Sequence, residues 1–98
     1  MAIDEIIELG IDNEGRLYIK PSTSQFLYIY RLAAEVNWDN NEKILYSPKP
    51  RGWTYLKWYN HIITTAIEYG HQLQLTEKTE WVNVPDDLKT EILSSNPL

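Results

Sequence analysis

The chain reads as an α+β domain, an antiparallel sheet built from hairpins with two to three helices packed on one face. Three observations lead there. Apolar residues alternate with polar ones in two stretches near the N-terminus, Ile7-Leu9-Ile11 and Leu17-Ile19, separated by a turn cluster. A long segment at 53–69 gathers its apolar residues on one broad helical arc. Finally, the signals run hairpin, helix, strand or hairpin, helix, hairpin, helix, an order that suits helices laid on an antiparallel sheet. The 98 residues make one domain, 1–98, because each half alone would fall near the size at which a lone apolar core fails.

Taken in order, Glu8, Gly10 and Asp12 hold the polar phase of the first strand. Asp12-Asn13-Glu14-Gly15 closes the hairpin, since Gly15 can adopt the left-handed conformation that the turn needs. Arg16, Tyr18 and Lys20 alternate with Leu17 and Ile19, and Pro21 ends the second strand. Ser22-Thr23-Ser24-Gln25 fits a capping box, with Ser22 at the cap and Gln25 at the third helical position. On a helical wheel Phe26, Ile29, Ala33 and Val36 would face the sheet, and Arg31, Glu35 and Tyr28 would face water.

Residues 36–39 fit two readings. Val36, Trp38, Ile44 and Tyr46 could line one face of a second hairpin through Asp39-Asn40-Asn41-Glu42, or the first helix could end there before a single strand at 43–47. Ser47-Pro48-Lys49-Pro50-Arg51-Gly52 is a proline-stiffened loop presenting two cations. In the helix that follows, Tyr55, Leu56, Trp58, Tyr59, Ile62, Ile63, Ala66, Ile67 and Tyr69 fill the apolar arc, and Gly70 is placed to cap its end. Leu73 and Leu75 mark one strand and Val82 and Val84 another, joined as a hairpin through Glu77 and Lys78. Pro85-Asp86-Asp87 opens a last helix, with carboxylates at the positive end of its dipole and an apolar seam of Leu88 and Ile92.

Several function classes recede on composition. The longest apolar run, residues 26–30, is far too short to span a bilayer. No basic stretch followed by an apolar core opens the chain, so a secretory signal is not expected. With no cysteine, disulfides and thiolate metal sites are excluded. His61 and Glu68 share a helical face but stand about 10 Å apart along the axis, too far for one metal ion. His61 and His71 read as solvated histidines. None of Ser22, Ser24, Ser47, Ser94 or Ser95 lies in a strand–Ser–helix elbow, and the four glycines are too scattered to cradle phosphate. The expectation is a chain with no catalytic residue, no metal and no cofactor; an enzyme would have to draw on Glu35, His61 or Glu68.

Charge and aromatic content point to binding instead. The net charge is −5, with Asp4, Glu5, Glu8, Asp12 and Glu14 unopposed in residues 1–15 and Lys43, Lys49, Arg51 and Lys57 unopposed in residues 43–67. Four Trp, seven Tyr and one Phe are rich for this length, and Trp53, Tyr55, Trp58 and Tyr59 crowd together among the bases. Tyrosine, tryptophan and arginine dominate interface hot spots. Tyr28, Trp53 and Arg51 are therefore candidate partner anchors, and Glu8, Asp12 and Glu14 candidate steering charges. A homodimer through the aromatic edge of the long helix is a second reading. Single-stranded nucleic acid, stacking on Tyr18 beside Arg16 and Lys20, is a third, opposed by the overall acidity.

In size, acidity, lack of cysteine and layout the chain resembles the small immunity proteins encoded beside bacterial polymorphic or contact-dependent toxins. The likeness is carried by the hairpin Ile11-Asp12-Asn13-Glu14-Gly15-Arg16-Leu17-Tyr18-Ile19, the loop Ser47-Pro48-Lys49-Pro50-Arg51-Gly52-Trp53 leading into a helix, and the stretch from Trp81 to Pro85. It implies a cytoplasmic, non-enzymatic protein that binds a cognate toxin and blocks its active site or substrate cleft.

Overall fold

The computed structural model describes residues 2–27, 29, 35–48 and 52–95. Strand β1 (Ala2–Ile11) runs through the middle of a six-stranded sheet and is bonded along both edges. On one edge lies β2 (Leu17–Pro21), followed outward by β4 (Ile44–Tyr46) and β3 (Asn37–Asp39). The other edge is shared by β5 (His71–Gln74) and β6 (Glu80–Val82). Helices α1 (Tyr55–Glu68) and α2 (Asp86–Ser95) complete the described elements.

The first hairpin forms as its alternation predicts. Asp12 N–H bonds Arg16 O at 2.9 Å, and Gly15 sits at φ 81°, where L side chains are strained. The phase of β1 departs from expectation, however. Leu9 pairs with Ile19 and Ile11 with Leu17, but Ile6 pairs with Pro21, so Ile7 is an extra residue in a β-bulge. The bulge turns Ile6 fully inward and leaves Ile7 exposed, where strict alternation would bury Ile7.

That same irregularity falls where the opposite edge of β1 changes partners. β5 pairs with Ala2, Ile3, Asp4 and Glu5, and β6 with Glu8, Leu9 and Gly10. Between them the buried Thr79 hydroxyl donates to Ile6 O at 2.6 Å and accepts from Thr76 N–H at 3.0 Å. One threonine side chain thus fills the gap in the backbone ladder. Both β5 and β6 run parallel to β1, so the sheet is mixed rather than purely antiparallel. The turn through Glu77 and Lys78 steps the chain along β1 and does not fold it back as a hairpin.

Two further expectations need correction. Ser22 does not cap a helix: its N–H extends the sheet by bonding Glu5 O at 2.8 Å, and residues 22–27 are not helical. The N–H groups of Thr23 and Ser24 are taken instead by Asp4 Oδ2, at 3.0 and 2.7 Å. Phe26, Ile29 and Val36 are nonetheless buried, as the apolar pattern requires. Tyr28, Arg31 and Ala33 lie outside the described residues. Residues 36–39 resolve as the second hairpin, closed by Asp39 Oδ1 accepting from Asn41 and Glu42 N–H. Its faces differ from the expectation, because Trp38 pairs with Leu45 toward the core while Ile44 and Tyr46 share the other face.

The two long-range helices follow the sequence closely. Thr54 caps α1 by accepting from Lys57 N–H at 3.1 Å, and Gly70, at φ 88°, carries the chain out of it. Trp58, Tyr59, Ile62 and Ala66 from α1 join Leu88 and Ile92 from α2 in one core with Ile6, Leu9, Leu17, Ile19, Leu45 and Leu73. Burial of this apolar area is the main term holding the fold together. Among the described residues two helices are seen, and none is long and apolar enough to cross a membrane.

Asp4 is a buried acid on the core side of β1. Burial works to raise its pKa, but N–H donors from Thr23, Ser24 and Glu5 and the Ser24 hydroxyl outweigh it and hold the carboxyl below its usual range. Since the folded pKa lies below the unfolded one, Asp4 contributes stability above the unfolded carboxylate range and loses it as pH falls through the folded value. Asp4→Asn should therefore lower the unfolding free energy by about 2 kcal/mol at neutral pH. It should also flatten the acid limb of a stability–pH profile from urea melts. Thr79→Val should cost about 1–3 kcal/mol in the same assay, because it leaves Ile6 O and Thr76 N–H unpaired, whereas Thr79→Ser should cost much less.

Candidate functional site

Side chains alternate across a strand, so the residues opposite the core define a second face. Register places Glu8, Gly10, Tyr18, Lys20, Ile44, Tyr46, Asp39, Glu80 and Val82 there. No described helix covers this face. A concavity of about 380 Å³ opens on it, lined among others by Glu8, Tyr18, Lys20, Asp39, Ile44 and Val82. Farther along β1, Ile3 is 67% exposed and Ile7 36%.

Tyr18 forms the floor. It pairs with Gly10, and its ring lies so close that a Cβ at position 10 would fall 2.6 Å from the Tyr18 hydroxyl. Only glycine allows the phenol to lie flat across the strand. Its hydroxyl reaches Glu8 Oε2 at 2.5 Å. Burial, followed by the hydrogen bond to Glu8 and the charge of that carboxylate, raises the phenol pKa well above its ordinary value. Tyr18 is thus a neutral donor to a carboxylate over the whole physiological range. It is only 9% exposed, so it is no open stacking platform for a nucleobase.

The hairpin turn supplies one wall. Asp12 Oδ1 accepts from Glu14 and Arg16 N–H, each at 2.9 Å, and Asp12 Oδ2 meets Arg16 Nε at 2.8 Å. Burial would raise the Asp12 pKa, but these donors and the guanidinium hold it down. Arg16 also reaches Glu14 Oε2 at 3.2 Å and lies 4.7 Å over the Tyr46 ring. Among the described residues these two ion pairs are those of Arg16, and neither involves Glu8, Asp39, Glu42 or Glu80.

The candidate residues from the sequence are therefore divided. Glu8 and Asp12 line the concavity, and Glu14 stands beside it, bound to Arg16. Trp53 belongs to a different cluster. Its half-buried ring lies 4.5 Å from Trp58 and 5.3 Å from His61, with Lys57 Nζ 4.5 Å from its centroid. It folds back on its own helix. Tyr28 and Arg51 lie outside the described residues. Asp39, Glu42, Ile44, Glu80 and Val82 are site residues that sequence reasoning missed. For Asp39, Ile44, Glu80 and Val82 the signal was the strand period, which puts them in phase with Glu8 and Tyr18 only once the pairing partners are known, and Glu42 follows in the turn after Asp39.

A second polar cluster lies behind the sheet, where Ser24 Oγ stands 2.9 Å from His71 Nδ1. Asp4 contacts Ser24 rather than the imidazole, so the order of contacts is not that of a carboxylate-oriented histidine base. Its visible work is to fasten residues 22–24 to β1. Among the described residues no group of three or more His, Asp or Glu could hold a metal ion.

Comparison with known proteins places the chain. The family profile described as Integron Cassette Protein Hfx_Cass5 matches residues 4–79. A solved structure titled "Structure from the mobile metagenome of North West Arm Sewage Outfall: Integron Cassette Protein Hfx_Cass5" is 41% identical, with a TM-score of 0.51, over 96% of this chain and 95% of that one. A search of curated proteins finds no match. The profile spans the hairpin and the proline loop that had suggested a toxin-neutralising immunity protein, and it overturns that resemblance. The chain belongs to the Hfx_Cass5 family of integron cassette proteins.

Proposed function

We propose that this chain is a non-enzymatic binding domain that docks a protein partner on the open face of its sheet. The observation that carries the reading is the asymmetry of the two faces. One is buried under α1 and α2, whereas the other carries exposed Ile3 and Ile7 and, farther along, a concavity where Ile44 and Val82 meet Tyr18 among charged side chains. An apolar and aromatic centre with a charged rim is the common anatomy of a protein interface. The acids around it work against a phosphate backbone. They also work against a second copy presenting the same face, since like charges would meet.

A photo-crosslinking side chain tests this in the source cell. Placed at Ile3, Ile44 or Val82, it should give one common protein adduct, and Val82→Arg should abolish that adduct at the other two positions. The same group at Lys57 or Glu91, on the helical side, should not give it. Adducts arising only from the helical positions would refute the reading.

A further inference from the structure

Resting on that reading, we infer that the docked partner is a basic protein segment that seats an arginine guanidinium in the concavity against Glu8. Charge complementarity is the first argument. The lining holds Glu8, Asp12, Asp39 and Glu42 against Arg16 and Lys20, and register sets Glu80 beside Glu8. Arg16 is already engaged by Asp12 and Glu14. The face therefore keeps an excess of carboxylates, and those at positions 8, 39, 42 and 80 make no ion pair among the described residues. A cationic partner would be drawn to it and steered into register.

The second argument is that the face already accommodates one guanidinium. Arg16 is held between the Asp12 carboxylate at 2.8 Å and the Tyr46 ring at 4.7 Å. One step along the sheet the Glu8 carboxylate is held directly by the Tyr18 hydroxyl. Tyr18 occupies Glu8 Oε2, which leaves Oε1 to accept a further donor. The hydrogen bond also holds the carboxylate in place, so little order remains to be imposed on binding. A planar guanidinium presents a fork of N–H donors that matches a carboxylate, which an ammonium does less well. The volume of about 380 Å³ is at the scale of sites that enclose small ligands, so a long side chain fits.

The test uses the full chain and a blocked Gly-Arg-Gly-Arg-Gly peptide, with lysine and citrulline versions beside it. Amide NMR shifts are followed during titration. The arginine peptide should shift Glu8, Tyr18, Ile44 and Val82 saturably, the lysine peptide should bind more weakly, and the citrulline peptide should not bind. Glu8→Gln should weaken binding by about tenfold. The rim double variant Glu42→Gln/Glu80→Gln, at two exposed positions, should weaken it as well and guards against a folding defect in the first. Equal binding of citrulline or lysine, shifts confined to α1 or α2, indifference to both variants, or a single-stranded oligonucleotide competing for the same amides would each overturn the inference. So would self-association through these residues in light scattering. If the crosslinks above appear from the open face while the arginine peptide fails to bind, docking stands and the arginine assignment falls. If the crosslinks come only from the helical side, the docking reading itself falls.

Discussion

Everything in this fold answers to the need of one long strand for hydrogen-bond partners on both edges. β1 spans ten residues, about 33 Å at the usual strand rise, and no single neighbour is that long. β2 serves one edge. The other is served by two short strands in tandem, with the Thr79 hydroxyl supplying the bond that neither provides. Buried backbone groups left unpaired are costly, so this repair is a condition of the topology rather than an ornament. It also explains why β5 and β6 are collinear. Folded back as a hairpin, they would leave half of that edge of β1 bare.

Much of the architecture was legible in the residues. Asp12-Asn13-Glu14-Gly15 specified its turn through local chemistry that needs no distant partner, and α1 and α2 were marked by arcs, caps and dipole charges acting within each helix. What could not be read was set by distant contacts. Nothing near Ile7 announces a bulge; it appears where Ile6 pairs with Pro21 and Glu8 with Lys20 on another strand. Nothing in Ser22-Thr23-Ser24-Gln25 announces that Asp4, far back in the chain, takes the amides a helix would have used. A local capping signal lost to a buried carboxylate needing donors.

The composition of the open face was legible, but its layout was not. An acidic, ring-rich surface suited to recognition was apparent from composition, and Glu8 and Asp12 were among the residues named. Trp53, named as a partner anchor, packs on Trp58 and His61. Tyr18 was read as an exposed ring, yet it lies nearly buried and clamps Glu8. Both settings were hidden from the sequence for one reason. A wheel or an alternation gives the direction of a side chain, but not whether a neighbouring ring or a glycine gap waits to receive it.

That gap at Gly10 has a further consequence. The strand needs no glycine for its backbone here, since the positive-φ glycines are Gly15, Gly52 and Gly70. The missing carbon serves the ring above it. One methyl group would tilt the phenol outward, release the carboxylate and make the hollow shallower, while Leu9 and Ile11 on either side kept their packing. Relief on this surface can thus be recontoured by a single atom without disturbing the layer beneath.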